Sequence, residues 1–336
     1  MDELDQKLVN ELQIHGFQNS RTLASLLGAG ERTVHRRINA MRKKGIIKII
    51  AIPDYLLFGF KAWAKIGIKV NPQSLSYVAG RLAANPSIYF VAYAYGTFDI
   101  IIAVHFFNID SLTHFINSEL VRIKGILSTE AMVLTSPRKY YNFCWPPPLF
   151  EKTKNGWHHY LHNSTGHNHH TIDEVDRRML GILMEDGLTR PATMRSRLGM
   201  SESTIRKRLK KMSSNGLFKI VVVPNPEVLA KEVWGTMGIT INNRTAHEVL
   251  DDMVKYPEVY LASVAIGRFN LIIAARFRDI DSLSQFVTID LPTIEGVSYV
   301  ETFLHNKPLK YHNIHWAMSK SDDKNHNSAK LAPSLA

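Results

Sequence analysis

Two short stretches of the chain place cationic side chains on the outer side of a helix. They are residues 30–45 and, 171 positions later, residues 201–216. In both stretches apolar residues recur at i, i+4 and i+7, which is one face of an α-helix, so the cations lie on the other faces. Guanidinium and ammonium groups on such a surface can contact the phosphates and base edges of a nucleic acid. The candidate contact residues are Arg32, Thr33, Arg36, Arg37, Lys43, Ser203, Thr204, Lys207, Arg208 and Lys211.

The positive charge of the chain is concentrated in these two basic helices. The chain has 41 Lys and Arg against 30 Asp and Glu, a net charge of +11. Residues 31–48 hold seven basic residues against one acidic residue, and residues 202–219 hold six against one. A cationic face that is only solvated is the alternative, but the duplication and the glycine turns before each helix favour binding. This charge favours a nucleic acid or an anionic surface as the partner, and the helix-turn-helix plan described below favours double-stranded DNA.

The offset of 171 residues holds without a gap over nearly the whole chain, which therefore contains two copies of one unit. We call them the first and the second repeat. Many matched positions are glycine or proline, which fix turns, so the repeats should share one backbone plan. Examples are Gly28 and Gly199, Gly45 and Gly216, Pro53 and Pro224, Gly67 and Gly238, Gly96 and Gly267, Pro137 and Pro308, and Trp145 and Trp316.

Each basic helix is the third helix of a small unit. In the first repeat, apolar spacing predicts helices over residues 4–14 and 22–27, and a glycine-rich turn leads from the second into the basic helix. Gly45 suits the left-handed position that ends the basic helix. A β-branched run over residues 46–52 then predicts a strand, or wing. This is the helix-turn-helix plan, in which the second helix of the motif lies in the major groove.

Strands and helices alternate after each helix-turn-helix unit, in the order β-α-β-β-α-β of the ferredoxin-like fold. We expect Asp110 to be the N-cap of the second helix of this unit. The predicted fold class is α+β, a tandem duplication of a winged helix-turn-helix domain followed by a ferredoxin-like domain. The predicted strands of the first repeat are residues 62–70, 88–95, 100–106 and 126–134, with helices over 75–84 and 110–120, and the second repeat runs likewise from 234–241 to 297–304.

These patterns set the expected domain limits. Helix-turn-helix domains are expected over residues 1–53 and 172–224, ferredoxin-like domains over 60–145 and 231–316, a Pro- and His-rich linker over 146–171, and a disordered polar tail over 319–336. Clustered imidazoles can bind Zn, Cu or Ni, but a linker without secondary structure does not fix ligand geometry, so a solvated linker is favoured and neither a metal site nor a cofactor is expected. The linker histidines are His158, His159, His162, His167, His169 and His170.

Composition excludes several classes of protein. Cys144 is the single cysteine, so an intrachain disulfide and a thiolate metal cluster are excluded, and its aromatic neighbours favour a buried structural thiol. The N-terminus is acidic, unlike a signal peptide. The longest apolar run, near residues 100–104, is too short to cross a bilayer. We expect a cytoplasmic protein without a membrane partner.

Seven short motifs of the first repeat carry a resemblance to a known family. They are Leu4-Asp5-x-x-Leu8, Leu26-Leu-Gly28, Thr33-Val, Arg37-Ile38, Gly45-Ile46-Ile47, Gly96-Thr-Phe-Asp99 and Ile123-Lys-Gly125-Ile126-Leu-Ser-Thr129. With these motifs, each repeat resembles the Lrp/AsnC, or feast/famine, family of transcription regulators over most of its length. Two positions depart from the family pattern: Gly30 replaces the usual serine cap in the first repeat, and Asn270 replaces an aspartate in the second.

The resemblance implies a regulator that binds DNA through its helix-turn-helix units and is not an enzyme. It also implies that ferredoxin-like domains pair through their sheets and bind a small effector, commonly an amino acid, between them. Because both copies lie on one chain, we expect the sheets to pair within the chain as a pseudo-dimer. Because the two basic helices differ in sequence, we expect two unlike DNA half-sites.

The resemblance places the effector at the turn that follows the second strand of each ferredoxin-like unit. A carboxylate in the first turn can meet an α-ammonium group, whereas the second turn offers a cation and an amide, so the two sites should differ in ligand. A plain β-turn without a ligand is the alternative. The candidate effector residues are Gly96, Thr97 and Asp99 in the first repeat and Gly267, Arg268 and Asn270 in the second.

The chain also resembles siroheme decarboxylases, which share this plan and include fused double forms. That resemblance implies a functional histidine on the strand after the turn, where the first repeat has His105 and the second has Arg276. The aromatic and Pro-rich run expected before that strand is missing, because residues 94–99 read Ala-Tyr-Gly-Thr-Phe-Asp. The regulator is therefore favoured, and the enzyme is kept as the alternative.

Overall fold

The computed structural model describes residues 1–15, 17–55, 57–140, 172–225, 232–311 and 314–315. Several sequence expectations lie outside these residues: the linker and its histidines, Cys144, the match of Trp145 with Trp316, and the C-terminal tail. Within the described residues, no helix combines the length and apolar character that crossing a membrane requires.

The first repeat opens with three helices that pack around a small apolar core. Leu8 and Leu12 from the first helix, Leu23 from the second, and Val34 and Ile38 from the third are buried together. The periodic apolar positions of the sequence therefore form the core of the helix-turn-helix unit. Its elements are α1 (Glu3–His15), α2 (Ser20–Leu27), α3 (Glu31–Lys43) and β1 (Ile47–Pro53).

Glycines end the second and third helices. Gly28 after α2 and Gly45 after α3 have φ values of +61° and +66°, so the left-handed position predicted for Gly45 is confirmed. The N–H groups of Gly45 and Ile46 donate to the carbonyls of Arg42 and Met41, which satisfies acceptors that the end of the helix leaves open. The chain then turns directly into β1.

A ferredoxin-like unit with the predicted order β-α-β-β-α-β follows. The second helix differs from the prediction, because Asn108, not Asp110, is its N-cap: the Asn108 side chain accepts from the backbone N–H of Ser111 at 2.8 Å. Asp110 lies in the first turn, where a carboxylate is favoured by the helix dipole. The elements are β2 (Ala62–Val70), α4 (Leu75–Ala84), β3 (Ile88–Tyr95), β4 (Ile100–Phe106), α5 (Ile109–His114, continued by π- and 3₁₀-helical turns to Arg122) and β5 (Ile126–Tyr140).

The second repeat has the same elements in the same order. Pro191 occupies the first position of its second helix, where the missing N–H costs no hydrogen bond. The elements are α6 (Glu174–Glu185), α7 (Pro191–Leu198), α8 (Glu202–Ser214), β6 (Phe218–Pro224), β7 (Val233–Ile241), α9 (Ala246–Met253), β8 (Val259–Ile266), β9 (Leu271–Phe277), α10 (Ile280–Gln285), β10 (Val297–Tyr311) and the two-residue strand β11 (Ile314–His315).

The two ferredoxin-like sheets join edge to edge within the chain. In the described residues, eight antiparallel strands follow one another in the order β10-β3-β4-β2-β5-β8-β9-β7, and β7 pairs again with β10. The joints between the repeats are β5 with β8 and β10 with β3. This closure leaves no unpaired edge among the eight strands, and it is the intrachain pseudo-dimer expected from the sequence.

An approximate twofold axis relates the two joints. Val133 pairs with Ile266 in one joint, and Leu304 pairs with Tyr95 in the other. Leu304 is the equivalent of Val133 and Ile266 is the equivalent of Tyr95, because each lies 171 positions further along the chain. The wings obey the same axis: β1 pairs with β6, and Ile50 lies opposite Val221, its own equivalent. The register of the pairing therefore treats the two repeats as equivalent partners.

The last strand of each repeat is longer than predicted. The sequence ends these strands near residues 134 and 304, because Pro137 and Pro308 normally interrupt a ladder. Both prolines instead lie where the register shifts, which is a site at which a proline is tolerated, and the strands continue to Tyr140 and Tyr311. This extension supplies most of the residue pairs in the joints between the repeats.

The sheets enclose one apolar layer, and the helices cover the outer faces. Phe98 packs inside the ring over Gly67, where a Cβ atom would lie 2.4 Å from its ring; Phe269 lies over Gly238 in the same way, at 2.3 Å. Glycine is required at these two positions because the aromatic ring fills the space of a side chain. Outer apolar layers pack against α4 and α5 in one repeat and against α9 and α10 in the other.

Candidate nucleic-acid interface

The basic helices α3 and α8 present matching polar faces to solvent. Val34, Ile38 and Met41 are the buried residues of α3, and Ile205 and Met212 are those of α8. The opposite faces are exposed, and their cations make no ion pair with another described residue at the following predicted positions: Arg32, Arg36, Lys43, Lys207 and Lys211.

Arg37 and Arg208 have a different environment from the other predicted contact residues. The Arg37 guanidinium donates to Asp2 at 2.6 Å and to Asp5 at 2.9 Å. This contact joins α3 to the start of α1. The backbone N–H of Asp5, together with the Arg37 guanidinium, lowers the pKa of the Asp2 carboxyl. Because the guanidinium is half-buried and engaged, it fixes the orientation of the basic helix.

The second repeat contains the same anchor. Arg208 donates to Asp173 at 2.7 Å and to Asp176 at 2.8 Å, and both carboxylates are the equivalents of the acidic pair in the first repeat. Asp173 also caps α6. Sequence reasoning placed both arginines among the DNA contacts and did not assign the carboxylates. The signal was present, because each repeat has Asp-x-x-Asp at the start of its first helix and an arginine in the basic helix.

The N-termini of the two basic helices differ. Gly30 caps α3 without a side chain, whereas Ser201 caps α8 and its Oγ accepts from the backbone N–H of Thr204 at 3.2 Å. The Ser201 hydroxyl also lies 2.9 Å from that of Ser203 and 2.8 Å from that of Thr204. A helix N-terminus favours anions, and here a hydroxyl cluster stands where the first repeat has Arg32 and Thr33.

The two helix-turn-helix units form one body through their wings and through contacts around them. Arg42 at the end of α3 donates to Asp186, in the turn after α6, at 3.0 Å. Gly187, in the same turn, packs against the backbone of Ile50, and its N–H donates to the carbonyl of Ile49 at 2.9 Å. The basic helices are therefore held in a fixed relation by strand pairing and by side-chain contacts between the repeats.

The predicted effector turns lie at one end of the strand ring, and their acidic and amide residues have backbone partners. The Asp99 carboxylate accepts from the N–H of Val70 at 2.8 Å and from Lys69 at 3.0 Å. Asn270 accepts from the N–H of Ile241 at 3.0 Å, so the amide replaces the carboxylate in the same backbone contact. Gly96 and Gly267 have φ values of +118° and +143° and provide the turn geometry.

The other two turn residues converge on carboxylates that the sequence did not single out. Thr97 donates to Glu301 at 2.6 Å, across the interface between the repeats. Arg268 donates to Glu130 of the first repeat at 2.8 Å and to Glu301 of its own repeat. Glu130 and Glu301 are equivalent positions, so a single guanidinium bridges two symmetry-related carboxylates.

Two family models match the chain twice each. The AsnC-type helix-turn-helix domain matches residues 1–42 and 172–213. The Lrp/AsnC ligand binding domain matches residues 64–142 and 236–314. The chain belongs to the Lrp/AsnC family. Its resemblance to that family, stated from the motifs above, is thereby confirmed, as is the tandem fold.

Similar proteins in the Lrp/AsnC family are about one repeat long. An uncharacterised HTH-type transcriptional regulator of Pyrococcus furiosus is 34% identical over 141 residues, which are 42% of this chain and 95% of that protein. The HTH-type transcriptional regulator FL11 of Pyrococcus horikoshii is 31% identical over 140 residues, 41% of this chain and 92% of that protein. This member of the family therefore carries two regulator-sized units on one polypeptide.

A solved structure matches the whole tandem arrangement. The siroheme decarboxylase NirDL aligns over 94% of both chains with a TM-score of 0.57 and 15% identity, a likeness of fold. In this Lrp/AsnC chain, His105 is 6% exposed and stacks on Tyr89 at 4.1 Å, with Tyr55 at 4.2 Å. Its equivalent Arg276 is buried, 3.4 Å from a carboxylate oxygen of Glu232. The two equivalent positions therefore differ in chemistry.

Proposed function

We propose that this protein is a transcription regulator that binds double-stranded DNA with two unlike reading helices, α3 and α8. The observation that carries the proposal is the duplicated exposed basic face, since each copy lies on a helix whose other side is buried and anchored by an Arg–Asp contact. The relatives that match each repeat are named HTH-type transcriptional regulators. We also propose that the protein is cytoplasmic and that its domains have the limits given above.

The exposed cations are assigned to the DNA and the anchored arginines to helix orientation. Arg36 and Lys207 are equivalent positions on the two helices, and both are exposed. An arginine can bind the O6 and N7 atoms of a guanine in bidentate fashion, whereas a lysine acts as a point charge. Arg32 is replaced by Ser203 in the second repeat. We therefore propose that the operator consists of two unlike half-sites, not a perfect palindrome.

Selection from random double-stranded DNA tests this proposal. Recovery of a motif with two unlike halves supports it, and loss of contrast in one half only is expected for Arg36→Ala and in the other half only for Lys207→Ala. Arg81→Ala is the matched control, since Arg81 is exposed on α4, away from the basic helices. Affinity should fall with salt at a log–log slope of about −0.9 per phosphate neutralised. No enrichment, or equal effects of all three substitutions, contradicts the proposal.

We further propose that a small effector carrying an ammonium group, such as an amino acid, binds at the end of the ring. Glu130 and Glu301 support this placement, since Arg268 already pairs with both and an ammonium group can compete for the same oxygens. The Asp99 carboxylate is engaged by Lys69 and Val70, so we assign it to the turn. Calorimetry with a panel of amino acids should give heat that Glu301→Gln abolishes. Heat unchanged in that variant would remove the site.

The enzyme alternative is tested separately. The first-repeat histidine lies among aromatic rings, with Trp63 at 4.5 Å and Phe60 at 6.4 Å in addition to the two tyrosines. We propose that this histidine packs between the segment that follows β1 and the ferredoxin-like sheet of the first repeat. An absorption scan during titration with siroheme or haem discriminates the classes: an unshifted Soret band supports the regulator, whereas a sharp shift that His105→Phe removes supports the enzyme.

A further inference from the structure

The axis that relates the repeats passes between two unlike side chains inside the ring. Lys65 of β2 and Thr236 of β7 are 171 positions apart, so they are equivalent residues. The Lys65 ammonium donates to the Thr236 hydroxyl at 2.8 Å, and the two residues are 3% and 0% exposed. A position that meets its own equivalent lies on the axis. The contents of this position therefore depend on which repeats are paired.

We infer that the Lys65–Thr236 contact makes each repeat the preferred partner of the other repeat and disfavours pairing of like with like. If two first repeats paired, Lys65 would meet a second Lys65 in a buried apolar layer. Two ammonium groups at hydrogen-bond distance repel, so a buried pair of lysines could hold only one proton, whereas two separate Lys65–Thr236 contacts can hold one proton each. With one lysine and one threonine, the single ammonium has an acceptor and the hydroxyl has a donor.

The surroundings of Lys65 support this inference. Its ammonium lies 5.2 Å from the centre of the Phe90 ring, and the imidazole of His305 packs against the same ring at 5.6 Å. Burial lowers the pKa of Lys65 to about 7, and burial together with Lys65 lowers the pKa of His305 well below its ordinary value. A second ammonium in this layer would add a charge where one is already poorly solvated.

Contacts at the rim point in the same direction but are weaker. Arg138 donates to Asp251 across one joint at 2.7 Å, and the equivalent pair at the other joint is Leu309 and Gly80. Pairing of like with like would place Arg138 opposite Gly80. Because Arg138 and Asp251 are each more than 40% exposed, this ion pair adds little. A cost for pairing two first repeats is sufficient, because two chains that assemble like with like contain one pair of first repeats and one pair of second repeats.

As a consequence, a single chain with a closed ring of strands presents one α3 and one α8. Separate chains of a symmetric regulator present two identical helices. Here the asymmetry lies in the core as well as on the reading surface. The inference concerns assembly and does not rest on DNA binding.

Substitutions at the axis in the full chain test the charge argument. Thr236→Lys is expected to reduce the ratio of folded to unfolded protein about a hundredfold or more relative to Thr236→Met, which has a similar length and no charge. The exchanged variant Lys65→Thr/Thr236→Lys restores one ammonium and one hydroxyl, so it should recover most of that loss. The measurement is urea unfolding at pH 7. Equal losses for Thr236→Lys and Thr236→Met, or no recovery in the exchanged variant, overturn the inference.

Cysteine pairs in a Cys144→Ser background test the pairing directly. Val133→Cys/Ile266→Cys should form a disulfide within one chain, since these residues lie opposite each other in the joint between β5 and β8. Tyr95→Cys/Val133→Cys places both thiols in the first repeat, where pairing of like with like would align them between two chains. After mild oxidation, denaturing electrophoresis should show no covalent dimer for this second variant. A covalent dimer that increases with protein concentration overturns the inference.

Discussion

Removal of the buried ammonium of Lys65 is expected to change how the stability of the protein depends on pH. The pKa of Lys65 falls from 10.5 to about 7 in the folded chain because the ammonium is buried in the ring. Between these two values the unfolded chain binds a proton that the folded chain does not bind. The stability of the wild-type protein therefore rises with pH in this window. Well below pH 7, the full free-energy cost of burying the ammonium is present.

The magnitude follows from the pKa difference. A shift of 3.5 pH units, at about 1.36 kcal/mol for each unit, corresponds to about 5 kcal/mol over the whole window. At pH 7 half of the folded molecules have already lost the Lys65 proton, so the free energy of unfolding changes by about 2 kcal/mol between pH 7 and pH 9. Lys65→Met keeps the length of the side chain and removes the titration.

The assay is urea unfolding followed by circular dichroism at pH 7, 8 and 9. Burial also lowers the pKa of Lys139 and Lys310 to about 8, so both proteins gain stability from those residues as pH rises. The difference in the free energy of unfolding between the wild type and Lys65→Met reports on Lys65 alone. From pH 7 to pH 9 this difference should change by about 2 kcal/mol in favour of the wild type. Lys7→Met, at an exposed position on α1, is the matched control for the loss of a lysine. Parallel stability curves for wild type and Lys65→Met would refute the buried-charge argument.

Three further predictions concern packing, the Arg–Asp anchors and the buried histidine His305. Gly67→Ala places a Cβ atom 2.4 Å from the Phe98 ring and should destabilise the protein by about 1–3 kcal/mol in thermal unfolding, whereas Gly181→Ala, where space is open, should not. Arg37→Met should lower the melting temperature because it frees Asp2 and Asp5, while Arg36→Met should leave the melting temperature unchanged and weaken DNA binding; the opposite pattern would contradict the division of roles. Because burial and Lys65 lower the pKa of His305, wild-type stability should fall as pH drops below 6.5, and His305→Phe should flatten that fall in unfolding experiments between pH 6.5 and 5.

Local features of this chain were predictable because neighbouring residues encode them. Apolar spacing and glycine positions set the limits of α3 and the left-handed turn at Gly45, and β-branched runs set β1 and β4. The errors arose where two local signals competed. Asn108, not Asp110, is the N-cap because its backbone is extended just before the first helical residue. Pro137 lies within a strand because a register shift removes the need for a backbone N–H at that position.

The sequence alone determined the duplication, the family, and the basic character of α3 and α8, because these depend on residue types at fixed spacing. The tertiary structure decided what each charged group contacts. Arg37 lies near Arg36 in sequence, yet one bonds to the start of α1 and the other faces solvent. Lys65 and Thr236 meet only because the ring closes about an axis, which brings together positions 171 residues apart. Contacts across such distances depend on how strands far apart in the sequence pair and pack, and no local pattern records them.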